Sequence, residues 1–96
     1  DLDLQPQPEA TKFAGHFHCL ARRPELLDPF DAWQLAHWAT HGASHGERIC
    51  ISFVLNVFNQ HTDYGVGQFD LVEAFGVLDP DNFAVIQNWA AKPFTL

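Results

Sequence analysis

The longest hydrophobic stretch of the chain lies at its centre, between residues 45 and 60. In the segment "ERICISFVLNVFNQ", apolar residues occupy nearly every side of a helical wheel. Ser44 and Glu47 stand three residues apart at its start, which is the spacing of a capping box. The β-branched residues also permit a buried strand, but the cap and the length of about 16 residues favour a helix. The pattern therefore predicts a central, buried helix that begins at His45.

Aspartates precede the segments that are amphipathic rather than wholly apolar. Asp28 is followed by Pro29 and by "FDAWQLAHWATHG", so Asp28 is the predicted N-cap, Pro29 the first helical residue and Gly42 the left-handed stop. Asp70 and Glu73 repeat the capping-box spacing around "DLVEAFGVL". Each of these two segments is therefore predicted to be a short helix.

The N-terminal part of the chain gives a weaker helical signal. A proline in the first turn and aromatic residues at helical spacing predict a helix over residues 8–23, which Pro24 ends. Gly15 weakens this prediction, and the aromatic centre of the segment could instead form a short strand. Residues 1–7 are polar and broken by proline, and we expect them to be a flexible segment.

The elements together predict an all-α protein. Asp79 and the proline after it predict a last helix, which Pro93 ends. The expected architecture is a compact bundle of four to five short helices around one central apolar helix. A chain of 96 residues, 47% of them hydrophobic, has enough apolar surface for one core, so residues 8–96 are predicted to form a single domain.

The charge of the chain narrows the classes of partner. Five basic residues stand against twelve acidic ones, for a formal net charge of −7. This charge disfavours direct contact with a phosphate backbone and with anionic membranes, because there is no basic patch to displace counterions. Many of the acids have a structural explanation as well, since they fall at predicted helix N-termini, where carboxylates cap free amides. These are Asp28, Asp31, Glu47, Asp70, Glu73, Asp79 and Asp81.

Three histidines at intervals of four suggest a row of metal ligands. On one unbroken helix His37, His41 and His45 would share a face. Gly42 and the Ser44 cap break that row, because they place His41 at the end of one helix and His45 at the start of the next. The spacing therefore leaves only the first two histidines as an i, i+4 pair.

The sequence still offers four side chains that together could form a metal site. His16 and Cys19 lie one helical turn apart if their segment is helical, and with His37 and His41 they would form a chemically acceptable zinc set. The alternative is that these side chains are hydrogen-bonded or lie at helix ends. We expect no resident metal or other cofactor.

The chain offers little for catalysis. Cys19 and Cys50 fit neither a redox CxxC motif nor a zinc ribbon. We interpret them as reduced thiols of a cytoplasmic protein, with a disulfide between them as the alternative. Cys50 lies in an apolar run that raises a thiol pKa and makes the thiol inert. Ser44 is used as a cap and Ser52 falls in the buried helix, so neither has the setting of a hydrolase nucleophile. We expect no enzymatic activity.

About a third of the chain resembles a known group. The order "GERICISFVLNVFN…FDLVEAFGVLD" is similar to small, uncharacterised proteins of bacterial plasmids and prophages. The resemblance implies a helical fold and a mobile-element setting, and it implies no chemistry. The matching positions are Gly46, Arg48, Phe53, Leu55, Asn59, Phe69, Asp70, Leu71, Leu78 and Asp79.

The leading functional hypothesis is a non-enzymatic protein that acts through protein–protein interaction, with self-association as one form of that interaction. Nine Phe and three Trp exceed what one small core readily buries, so some aromatic residues are expected at an interface. Trp38, Trp89 and Phe94 are the candidates, because they lie late in their elements or in the C-terminal tail. An alternative is a counter-defence, anti-CRISPR-like inhibitor of a nucleic-acid-processing complex. A second alternative is a His/Cys metal-binding protein.

Overall fold

The central apolar segment forms the longest helix of the computed structural model, which describes residues 8–59, 61–94 and 96. This helix runs over His45–Phe58. Its predicted capping box is present: the Ser44 hydroxyl accepts from the Glu47 amide at 3.2 Å, and the Glu47 carboxylate accepts from the Ser44 amide at 2.9 Å. The helix ends at Asn59, whose amide donates to the Leu55 carbonyl at 2.8 Å.

The described residues form seven helices and no strand, so the protein is all-α. In chain order they are α1 (Pro8–Ala14), α2 (His18–Ala21), α3 (Pro24–Leu27), α4 (Ala32–His41), α5 (His45–Phe58), α6 (Leu71–Val77) and α7 (Pro80–Ala91).

Helix α5 lies at the centre of the packing. Helices α1, α2, α4 and α6 all contact it, and α4 has the most extensive contact. Its buried residues are Ile49, Cys50, Ile51, Ser52, Phe53, Val54, Leu55 and Val57. The radius of gyration is 12.2 Å, close to the ~12.5 Å expected for a compact chain of this length. Helices α1, α2, α4 and α6 thus pack against one apolar helix, while the full arrangement of the predicted bundle stays a prediction.

The helix predicted over residues 8–23 is instead divided into α1 and α2. Helix α1 ends at Ala14, and Phe17 has an extended backbone that precedes α2. This break allows both Phe13 and Phe17 to pack on Phe53, each with ring centroids 6.2 Å away. Packing of the aromatic residues therefore outweighs the continuity of a single helix. This division adds one helix, and the unpredicted α3 adds another, which together give seven described helices where four or five were expected.

Pro24 and Asp28 also have roles that differ from the prediction. Pro24 begins α3 rather than only ending the preceding helix. The N-cap of α4 is Asp31, not Asp28: its carboxylate accepts from the amides two and three residues later, at 3.0 and 3.2 Å. Starting the helix later leaves Phe30 free to enter the core, where its ring lies 5.0 Å from that of Phe58.

The other predicted ends are confirmed, with two differences in detail. Helix α4 ends at Gly42, but with φ of −156°, so the left-handed stop was wrong. Asp70 caps α6 by accepting from the Glu73 amide at 3.0 Å, while the Glu73 carboxylate lies 3.4 Å from the imidazole of His45. Asp79 caps α7 through the amide three residues later, at 2.9 Å.

Two predictions about the organisation of the chain are not tested by the described residues. Residues 1–7, predicted to be flexible, lie outside the described residues, and the single domain over 8–96 stays a prediction. Across the part of the chain that is described, none of the helices has the length and apolarity to cross a bilayer.

The reassigned cap of α4 can be tested with two matched substitutions. We expect Asp31→Ala to lower the free energy of unfolding by about 1 kcal/mol, because two amides of the first turn lose their acceptor. Asp28→Ala should change it by less than about 0.5 kcal/mol, as for an exposed residue without such a role. Urea unfolding followed by circular dichroism measures both. A larger loss for Asp28→Ala would restore the original assignment.

Candidate functional site

Helix α6 presents large apolar side chains to solvent. Leu71 is 56% exposed, Val72 80%, Phe75 74% and Val77 40%. We call these four residues the α6 patch. Among the residues of this helix, only Ala74 is buried. A concentration of large exposed apolar side chains is one mark of an interaction site.

The outward position of the patch follows from how α6 packs. Small residues allow this helix to approach the rest of the protein. Ala74 is fully buried, and the side chain of Leu78, just after the helix, lies 3.7 Å from where a Cβ on Gly46 would be. Only Phe75 has a ring neighbour, an edge contact with Phe83 at 5.8 Å. A helix of two turns that is attached through an alanine must place its larger side chains on the other faces.

The surface around the α6 patch is acidic. From Ile49 to Ala91 the chain contains five Asp or Glu residues and no Lys or Arg. Four of these acids lie at the ends of α6, within it or in the first turn of α7, and all four are exposed: Asp70, Glu73, Asp79 and Asp81. Imidazoles of His45 and His18 lie 3.4 and 3.9 Å from two of these carboxylates. The apolar patch is therefore bordered by negative charge.

The three aromatic residues predicted to lie at an interface are not part of the α6 patch. Trp38 is partly buried, and the guanidinium of Arg23 lies over its ring at 5.1 Å from the centroid. Trp89 is partly buried too, and its indole donates to the Phe94 carbonyl at 3.0 Å. Phe94 is 42% exposed. Their role in an interface stays a prediction.

Sequence reasoning missed the α6 patch, although a signal was present. In "LVEAFGV" four large apolar residues occur within seven positions, spread over more than one face. A helix that short has room to bury only one of those faces. The cap predicts that the segment is a helix, but it does not predict which face of the helix is buried.

A groove of about 810 Å³ runs beside the C-terminal half of α5. Its walls are mostly aromatic, with the ring of Phe53 lying 5.0 Å from Phe69 and 5.4 Å from Trp89. The polar side chains on it are three amides and one imidazole, those of Asn56, Asn59, Gln68 and His61. Among the described residues, the lining of the groove thus has no carboxylate, ammonium or guanidinium to fix an ionic substrate.

The histidines do not assemble the predicted metal set. His37 and His41 stack with ring centroids 4.0 Å apart, and Nδ1 of His41 lies 2.8 Å from the His37 carbonyl oxygen. His16 instead packs its ring against Phe13, and Cys19 lies beside another cysteine. Within residues 8–59, 61–94 and 96, no three His, Cys, Asp or Glu side chains are grouped so that they could hold a metal ion.

The two cysteines meet in the core. The sulfur atoms of Cys19 and Cys50 are 3.4 Å apart, and both are free thiols. Cys50 is fully buried, whereas Cys19 is partly accessible. The Cys19 thiol donates to the Cys50 sulfur in the structure. A thiolate on Cys19 would instead accept from the Cys50 thiol at this distance, and this lowers the pKa of Cys19, against burial and the charge of Glu47. The same hydrogen bond, with burial, raises the pKa of Cys50.

Asn82 fixes the helix that carries Cys19. This buried amide on α7 accepts from the His18 backbone amide at 2.8 Å, and its own backbone amide donates to Asp79. Helix α2 has only four residues and no side-chain cap. The bond from α7 is therefore what aligns the first turn of α2 over α5.

No family model, curated protein or solved structure matches the chain. The resemblance to plasmid and prophage proteins stays a prediction, and function must be argued from the residues alone.

The role of Asn82 predicts a specific stability loss. Asn82→Ala leaves the His18 amide without its acceptor, and we expect the free energy of unfolding to fall by about 1–3 kcal/mol. Asn88→Ala, on an exposed position of the same helix, should cost less than about 0.5 kcal/mol. Urea unfolding measures both changes. Equal losses would show that helix propensity, and not the link between α2 and α7, determines the effect.

Proposed function

We propose that the protein acts by binding another protein through the α6 patch and has no catalysis of its own. The observation that carries this proposal is the exposure of Leu71, Val72, Phe75 and Val77 within one short helix. Burying one such side chain is worth about 1.5–3 kcal/mol. A partner that covers the patch therefore has a substantial driving force available from a small contact.

The charge around the patch supports a partner with basic residues. An interface is favoured when potentials on the two sides are complementary. Here an apolar centre is bordered by Asp70, Glu73, Asp79 and Asp81, so the matching surface is an apolar pocket or ridge flanked by Lys or Arg. Self-association through the same patch would bring these acids together and pair two chains of net charge −7. The basic partner is accordingly favoured over a second copy.

A counter-defence role is one specific form of this proposal. Proteins that process nucleic acids have basic surfaces, and an acidic protein that covers such a surface would compete with nucleic acid. Competition by nucleic acid for the bound partner would distinguish this form from others. The mobile-element setting, the cytoplasmic location and the absence of enzymatic activity remain predictions beside it.

The proposal can be tested with a pair of defined peptide probes. One probe is an amphipathic helix of Leu and Lys, and the other has the same Leu face with Glu in place of Lys. We expect the Leu–Lys probe to bind, with chemical-shift changes in ¹⁵N spectra concentrated in residues 70–83. Phe75→Ser should weaken binding by about tenfold, the loss of a central aromatic contact.

Trp33→Ser is the matched control, because Trp33 is an exposed aromatic residue on α4. It should change the dissociation constant by less than about twofold, as for a residue outside the interface. Equal binding of the Leu–Glu probe would contradict the charge argument, and an equal loss in both variants would contradict the patch. Sedimentation should give a monomer of 10.8 kDa. A dimer that Phe75→Ser dissociates would instead identify a second copy as the occupant.

A further inference from the structure

The fold brings together two thiols that are 31 positions apart in the chain. Cys19 lies in α2 and Cys50 in α5, with their sulfur atoms 3.4 Å apart. A disulfide has a sulfur–sulfur distance of about 2.05 Å, so bond formation requires an approach of about 1.4 Å. Helix α2 has four residues and is bounded by turns, whereas residues 49–55 of α5 are all buried. The approach therefore requires only a small shift of Cys19 and of the short helix that carries it.

The two thiols are unequal in a way that assigns them different roles. Cys19 is partly accessible, and Cys50 is fully buried behind it. With the sulfur atoms 3.4 Å apart, the Cys50 thiol can donate to a thiolate on Cys19 and stabilise it, and a thiolate is the form that reacts with oxidants. An accessible reactive cysteine beside a second thiol is the arrangement found in redox-sensing pairs.

We propose that Cys19 and Cys50 are a site of reversible oxidation, in which hydrogen peroxide oxidises Cys19 and Cys50 converts the product to an intramolecular disulfide. In the first step the Cys19 thiolate attacks peroxide, the O–O bond breaks, and one proton is taken up to give a sulfenic acid and water. In the second step the Cys50 sulfur attacks the sulfenic sulfur, and water leaves with the Cys50 proton. The pair loses two electrons, which peroxide accepts.

Reduction returns the site to its starting state. A low-molecular-weight thiol attacks the disulfide, and a second molecule of the same thiol releases the mixed disulfide. Two free cysteines and one small-molecule disulfide result. The cycle is independent of the α6 patch, so either proposal can fail without the other.

The disulfide would tie α2 to the central helix. The cross-link would restrict the unfolded chain, and we expect the oxidised protein to melt about 5–15 °C higher than the reduced one. This increase in melting temperature should disappear when dithiothreitol reduces the disulfide.

The central test is mass spectrometry of the full chain after peroxide treatment and alkylation with N-ethylmaleimide. The reduced protein should take up two maleimides under denaturing conditions, and the oxidised protein none, with a mass lower by two hydrogen atoms. Cys50→Ala should stop at a Cys19 sulfenic acid that dimedone traps, and Cys19→Ser should leave Cys50 unreacted. The proposal is overturned if the wild type accumulates sulfinic acid or intermolecular dimers without the internal disulfide.

A second measurement separates the hydrogen bond from a merely structural role of Cys50. The rate of Cys19 alkylation by iodoacetamide rises with pH through the pKa of this thiol. Cys50→Ala removes the donor that lowers the pKa of Cys19, so the midpoint should move to higher pH. Cys50→Ser retains a donor and should give an intermediate midpoint. Glu47 and Asp79 remain in all three proteins, so their charges do not affect the comparison. Identical midpoints would contradict the assigned roles.

Discussion

Burial of the middle of helix α5, where residues 49–55 are all buried, is the constraint on which the rest of this structure depends. A helix of 14 residues is marginal by itself in water. Its apolar side chains are stabilising only if other elements cover them, at about 1.5–3 kcal/mol for each large one that is buried. The remaining helices are arranged to provide that cover. This explains why the N-terminal segment is not one continuous helix: the break between α1 and α2 lets both Phe13 and Phe17 contact Phe53.

The same constraint produces the two features with functional potential. Cys50 is buried because α5 is, and the nearest approach to it is through Cys19 on the short helix α2. Helix α6 covers the start of α5 through Ala74, so its larger side chains face solvent. One feature is an inner pair of thiols and the other an outer apolar surface. Both result from covering a single apolar helix with short elements.

Much of the helical architecture was predictable from local chemistry, because capping residues act within one turn. The boxes and caps at Ser44, Asp70 and Asp79 were confirmed, and so was the central helix. The Asp28-Pro29 pair predicts a start of α4 three residues too early, because Phe30 is buried in the core and the helix begins after it, with Asp31 as its cap. The meeting of the cysteines and the outward face of α6 depend on tertiary packing, which no local pattern encodes. Spacing alone likewise could not show that the metal candidates lie apart.

Native-state hydrogen exchange tests the central position of α5 most directly. If the middle of α5 is covered on all sides, the amides of Ile51–Leu55 exchange only when the whole protein unfolds. Their exchange free energies should then equal the free energy of unfolding measured with urea, whereas the amides of Ala74–Val77 should exchange through local opening at much lower free energy. Amides of α5 that exchange as readily as those of α6 would contradict the account.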